Sequence, residues 1–285
     1  MNEGGDEQFI SGAAFEPLSD ETRLRILHTL AKQYREDPTN PTMGFGELRK
    51  MVGRRDSGNF NYHLDKLRGR FLEDTDDGYR LSPAGHEVIS AVVAGTYDDH
   101  EPLGPIELPE NCPLCGSIMT ARYESGLLRV SCEHDHQFRN TLPRRAVEDR
   151  SLEEIIRVMT IKTQQDLERV VEGICPRCYG PVDWDVDMTE LVGVPEVTTQ
   201  CSRCGTVAEV PVAAAIINHP DVVAFYADHG VDVRHRPLWA PLLWNAVTID
   251  VAQEEPLELS VSVQLEGEEL VATLDNSLDV RSVKR

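Results

Sequence analysis

Residues 54–70 read RRDSGNFNYHLDKLRGR, five basic and two acidic side chains in a chain whose formal net charge is −21. Phe60, Leu64 and Leu67 recur at i, i+4 and i+7. That period places one apolar stripe on a helix and predicts a helix over about 57–69. Setting those three residues inward turns Ser57, Asn61, Tyr62, Asp65 and Arg68 outward. Residues 49–70 hold seven basic groups, Arg49 and Lys50 among them, against Asp56 and Asp65, a net +5 in a chain that is otherwise −26. The bland account of such a run is a solvated face balanced by carboxylates. The sequence on either side argues for more.

Upstream, LSDETRLRILHTLAKQYRED begins with Ser19 as an N-cap, has Asp20 and Glu21 in the first turn, and carries Leu24, Leu27 and Leu30 with Ile26 beside them. It predicts a helix over about 19–36. Asp37 to Pro41, with two prolines, enforces a loop, and GFGELRKMVG makes a short helix ending at Gly53. Downstream, FLEDTDDGYRLS holds two short strands around an Asp77-Gly78 turn. Ser82 and Pro83 then open a helix running to about 97. Helix, short helix, turn, helix, hairpin, helix is the order of a winged helix-turn-helix, expected over residues 13–98. The polar, glycine-rich residues 1–12 are expected to be disordered.

Residues 99–111, with three prolines and several acids, read as a linker. Beyond it lie seven cysteines, six of them in three C-x-x-C pairs. Cys175-x2-Cys178 and Cys201-x2-Cys204, 22 residues apart, make two knuckles whose four thiolates close a tetrahedral site. Structural zinc is the expected ion; rubredoxin-like iron and a dithiol redox pair are the alternatives. Cys112-x2-Cys115 is a further knuckle, but its partner SCEHDHQF supplies Cys132 and a histidine, His136 or His134. A three-residue gap between Cys132 and the histidine favours His136, which leaves room for a knuckle turn. SLEEIIRVMTIKTQQDLERVVEG predicts an amphipathic helix over 151–172, capped by Ser151. Two short helices in HPDVVAFYADHG and PLWAPLLWN follow, then three strands from Ala246 with a turn at Glu266-Gly267. The expected fold class is therefore α+β, with a first zinc ribbon plus connecting helix over 112–172 and a second ribbon with a small α+β domain over 173–285.

Composition narrows the setting. Acidic residues outnumber basic ones 49 to 28, and only five of the 28 are lysine. That bias resembles the proteins of salt-loving archaea, whose dense carboxylate surface stays hydrated where other surfaces salt out. No charged-then-apolar leader is visible and no apolar run approaches the ~18 residues of a membrane span, so a cytoplasmic protein with no membrane partner is expected. In that reducing compartment the cysteines read as metal ligands. A zinc deaminase needs H-x-E before P-C-x-x-C; this chain has no H-x-E and no proline before Cys112 or Cys175, and no enzyme is expected.

PLSDETRLRILHTLA resembles the first helix of ArsR-type winged helix regulators, NFNYHLDKL their recognition helix, and GYRLSPAG their wing strand running into the final helix. The whole arrangement, with HPDVVAFYADHGVD, is similar to haloarchaeal helix-turn-helix regulators with an uncharacterised C-terminal domain. The resemblance implies a transcriptional regulator that binds double-stranded DNA as a homodimer through the first and last helices of residues 13–97, with a small-molecule effector open. Asn59, Asn61, Tyr62 and Lys66 carry over as DNA contacts, joined by Arg54, Arg55, Ser57, Arg68 and Arg70 on charge and placement. His63 reads either as a further contact or as a buried, hydrogen-bonded residue. The metal-sensing members carry a cysteine pair where this chain has GFGELRKMV, so metal sensing there is not expected. A runner-up reading is an interaction module of the transcription machinery without its own operator.

Overall fold

The computed structural model describes residues 12, 15–99, 101–185, 190–191, 194–253 and 255–285. Among them the chain is mixed α+β, with seven α-helices and four antiparallel sheets. It divides into two compact units, one ending at Asp98 and the other beginning at Asp99. The opening segment expected to be disordered lies almost wholly outside the described residues.

In the first unit α1 (Glu21–Glu36) is capped by Asp20, whose carboxylate accepts from the Thr22 and Arg23 amides at 2.8 and 3.1 Å. Ser19, expected as the cap, instead donates its hydroxyl to the Glu16 carbonyl. The inward stripe is also corrected. Ile26, Leu27 and Leu30 are buried, and it is Arg23 rather than Leu24 that extends this stripe by a turn. The Arg23 guanidinium reaches the Glu16 carbonyl at 3.3 Å, while Leu24 faces solvent. Next come α2 (Phe45–Met51) and α3 (Ser57–Leu67), the latter capped by Asp56, which accepts from the Asn59 amide.

The hairpin pairs β1 (Leu72–Thr75) with β2 (Gly78–Leu81), Thr75 opposite Gly78. Its two turn residues are therefore Asp76 and Asp77, one place earlier than the Asp77-Gly78 reading, and Gly78 is the first residue of β2. Glycine is required there because Met43 pairs with Tyr79 alongside. The backbone at Gly78 has φ +141°, and a Cβ would stand 2.3 Å from the Met43 carbonyl oxygen. Finally α4 (Pro83–Val93), capped by Ser82, stops short of 97 where Gly95 turns left-handed. Phe60, Leu64 and Leu67 join Ile26, Leu27, Leu30, Leu48 and Leu72 in one core. Each such side chain, fully buried, contributes about 1.5–3 kcal/mol.

The second unit opens with the largest departure from the sequence reading. Most of the expected linker is a strand, β3 (Leu103–Asn111), on the edge of a sheet in which β4 (Ile118–Glu124), β5 (Leu127–Ser131) and β6 (Gln137–Thr141) follow in order. An edge strand needs backbone bonds on one side only, and irregular pairing with β4 accommodates its prolines. Across this sheet lies α5 (Leu152–Val171), whose Ser151 and Glu154 form a reciprocal capping box. Ile155 and Met159 pack on Met119, Tyr123, Leu128 and Val130.

The second ribbon comprises β7 (Val182–Asp185), β8 (Glu190–Leu191), β9 (Val194–Cys201) and β10 (Val207–Pro211), with β9 central. After α6 (Pro220–Asp228) and α7 (Leu242–Asn245) the chain ends in a meander of β11 (Val247–Gln253), β12 (Glu258–Leu265), β13 (Glu268–Asp275) and β14 (Val280–Lys284), four strands where three were expected. Glu266 and Gly267 both have positive φ, 51° and 90°, as a two-residue hairpin turn demands. The expected domain boundary at 172/173 is not a boundary in space. The C-terminal part of α5 sends Leu167 into the core beneath β12 and β13, and Trp239 returns from the C-terminal region to the core of the first sheet.

Candidate metal centres and nucleic-acid interface

The two cysteine clusters are built from one repeated local device. In the knuckles at Cys112, Cys175 and Cys201, the amide four residues on donates back to the cysteine carbonyl, at 2.9 Å from Gly116, 3.0 Å from Tyr179 and 3.0 Å from Gly205. All three donors have positive φ, and in the short fourth turn Asp135, at φ 62°, bonds the Cys132 carbonyl. Tyr179 is the one of the three that is not glycine. Arg169 of α5 lies over its ring and donates to the Pro176 carbonyl, pinning this knuckle to the helix.

Each turn delivers its donors to a single point. Cys175, Cys178, Cys201 and Cys204 form one set and Cys112, Cys115, Cys132 and His136 another, with the ligand atoms of each within 4.8 Å of one another. Sγ atoms stand 3.6 Å apart for Cys115 and Cys132, 3.6 Å for Cys175 and Cys204, and 3.5 Å for Cys178 and Cys201. Four thiolates around a tetrahedral ion with bonds of ~2.3 Å stand about 3.8 Å apart. His136 Nδ1 lies 3.4 Å from Cys112 Sγ and 3.5 Å from Cys132 Sγ, against about 3.6 Å for a mixed sulfur and nitrogen site. Both sets therefore fit a divalent ion held by four protein donors. His134 is not part of the first set; it contacts the Ser117 hydroxyl at 3.2 Å, its ring nearly parallel to that of His136 with centroids 6.4 Å apart.

Electrostatics within the clusters points the same way. The Ser117 amide and hydroxyl hold the Cys115 thiol down at about 5, whereas burial pushes Cys112 up to about 11. In the other set the Thr206 hydroxyl, 3.0 Å from the sulfur, holds Cys204 down at about 6. In each set one donor is poised as a thiolate, Cys115 or Cys204, while another is pushed up, Cys112 or Cys178, and a divalent charge is what makes all four available together. Ser117 and Thr206 were missed in the sequence, although each stands two residues after the second cysteine of its pair, where knuckle amides and hydroxyls turn toward sulfur.

In the first unit α3 has two unlike faces. Phe60, His63, Leu64 and Leu67 are buried, while Ser57, Asn59, Tyr62 and Lys66 are exposed and Asn61 is half-buried. His63 is thus a buried residue, with Nδ1 3.3 Å from the Asp20 carboxylate that caps α1. On the outer face Asn61 donates to Asp65 at 2.9 Å, and Lys66 sits over the Tyr62 ring. The basic residues separate into two kinds. Arg68 is half-buried and engaged within its own unit: it bonds Asp65 at 2.7 Å and the Tyr79 hydroxyl at 2.5 Å and pairs with Asp74, tying the end of α3 to the hairpin. Arg54 donates to the Thr22 hydroxyl of α1. Arg55 and Arg70 stand exposed on either side of the helix.

These features define a mixed α+β protein with two four-donor cysteine centres. Residues 109–280 match the family model described as a domain of unknown function, DUF7351, and residues 11–92 match a second, DUF7347. The chain belongs to the DUF7351 family. No curated protein matches it. No helix among the described residues is long and apolar enough to cross a membrane.

Proposed function

We propose that this protein is a sequence-specific transcriptional regulator of the ArsR-like winged helix type, which binds double-stranded DNA as a homodimer and carries two structural zinc ions. The observation that carries the reading is the outer face of α3. Ser57, Asn59, Tyr62 and Lys66, exposed, and Asn61, half-buried, form a polar surface on a helix whose opposite side is locked into the core. Such a face suits the major groove, where asparagine pairs with adenine and tyrosine meets a thymine methyl or the backbone. Arg55 and Arg70 flank it as phosphate contacts. Arg54 and Arg68 already hold bonds within the domain, so they stand behind Arg55 and Arg70 as phosphate contacts.

Exposed apolar residues on α1 and α4, Tyr34, Val92 and Val93, together with Tyr97, supply the surface for a second copy. Zinc is the ion that suits one set of four thiolates and one of three thiolates with an imidazole, neither having an open position. The centres act as scaffolds in a cytoplasmic, non-enzymatic protein. In molar salt the Debye length is about 3 Å and the counterion-release part of DNA affinity collapses. Uncharged Asn61 and Tyr62 then outweigh the arginines, and the exposed acidic turn Asp76-Asp77 ceases to be repelled by phosphates. The test is footprinting on the protein's own promoter at high salt. Asn61→Ala combined with Tyr62→Ala should lower affinity for the protected site by about tenfold to a hundredfold or more. An unchanged footprint would overturn the assignment of α3.

A further inference from the structure

The C-terminal domain contains a cavity of about 180 Å³ between the single-turn 3-10 segment Val212–Ala215, α6, α7 and the inner face of β11 and β12. Its walls are Ala214, Ile217, Leu243, Val247, Ile249 and Val263 with their neighbours, and no charged residue lines it. A recess of this size with mostly apolar walls is large enough to take up a small apolar molecule. The space opens to solvent on one side, so its water exchanges freely and an apolar molecule that displaces it gains contact with these walls.

Two aromatic residues line the cavity, and they differ in what they offer. The Trp244 indole N–H is already spent on the Leu238 carbonyl at 2.5 Å. Tyr226 is 2% exposed, and its hydroxyl makes no hydrogen bond among the described residues. Burial pushes this phenol up to about 12, so it remains a neutral O–H donor across the physiological range. The hydroxyl is not among the side-chain atoms sealed from water without a partner, so water can satisfy it in the free protein and a ligand's acceptor would take that water's place. An ionised ligand would find no counter-charge in these walls.

We propose that this cavity is a binding site for a neutral, largely hydrocarbon molecule about the size of one six-membered ring, with a single hydrogen-bond acceptor that meets the Tyr226 hydroxyl. The site belongs to the DUF7351 region and does not depend on the DNA-binding reading. In a regulator it would be the effector site.

The experiment is calorimetric titration of the full-length protein, without DNA, using acetophenone, toluene and benzoate. Acetophenone and toluene should bind, acetophenone more tightly, and benzoate at least tenfold more weakly than acetophenone. Tyr226→Phe should weaken acetophenone by about three- to tenfold, the loss of one neutral hydrogen bond, and leave toluene within twofold. Ala214→Leu should fill the space and abolish both. Should that variant fail to fold, as judged by circular dichroism, Ala213→Leu at the half-buried neighbouring position takes its place. Absence of heat with either neutral compound up to millimolar concentration would overturn the proposal. So would binding that survives the filling variant, or an equal loss of acetophenone and toluene in Tyr226→Phe.

Discussion

Asp20 joins the start of α1 to the buried side of α3, and replacing it tests whether that junction holds the first unit together. In Asp20→Ala the Thr22 and Arg23 amides lose their acceptor, which costs about 1 kcal/mol for a lost cap. His63 also loses the carboxylate 3.3 Å away. Because about a third of the Asp20 side chain is exposed, solvent screens that pair, and it adds no more than about 0.5 kcal/mol. The sum, about 1.5 kcal/mol, is roughly a tenfold fall in the protection of amides that exchange through unfolding of this unit. All three tryptophans, at 184, 239 and 244, lie in the second unit, so fluorescence would miss the effect. Hydrogen exchange at α1 and α3 amides in the full-length protein reads it directly.

Asp20→Asn separates the two contributions, since asparagine caps as well as aspartate but carries no charge. It should lose only the smaller part. Burial alone would raise the Asp20 pKa; the Arg23 amide, the facing His63 and the Thr22 amide outweigh it and hold the carboxyl below its usual range. A group lowered in the folded state contributes stability that is present above its unfolded pKa of about 4 and is lost as pH falls through the folded value. The wild type should therefore lose protection below about pH 4 more steeply than Asp20→Asn. If Asp20→Ala changes protection by less than twofold, or asparagine is as damaging as alanine, the junction does not work as described.

Native mass spectrometry should find two zinc ions per chain, one of them lost in His136→Ala and the other in Cys178→Ser, whereas His134→Ala should keep both. Gly85→Ala in α4 should reverse the usual helix preference: alanine normally gains about 1 kcal/mol there, but its Cβ would meet the Phe71 carbonyl oxygen at 2.3 Å, so hydrogen exchange should show a loss. On the outer face of the first sheet Arg129 stands directly opposite both Arg122 and Arg139. Arg129→Thr should stabilise that sheet by a few tenths of a kcal/mol or more at low salt, and the gain should vanish in molar salt. Urea unfolding followed by tryptophan fluorescence would show it, because Trp239 lies in the core beneath that sheet.

Much of this protein is written in short stretches of its sequence, wherever the controlling interactions span a few residues. The two stripes, Phe60, Leu64 and Leu67 on α3 and Leu27 and Leu30 on α1, follow from helical period alone. The Ser82 and Ser151 caps, the Glu266-Gly267 turn and the paired cysteines are equally local, because a cap, a hairpin turn or a knuckle needs only its own few residues. Spacing also favoured His136 over His134 before any distance was known. What tertiary structure decided depends on partners far along the chain. A proline-bearing segment became β3 because β4 offered it an edge, and α5 became the spine of one unit because its two ends met different cores. Arg68, indistinguishable in sequence from its basic neighbours, was drawn to Tyr79 and Asp74 by the return of the hairpin. The Tyr226 cavity has no sequence signature at all, since a void is set by what several distant elements fail to fill.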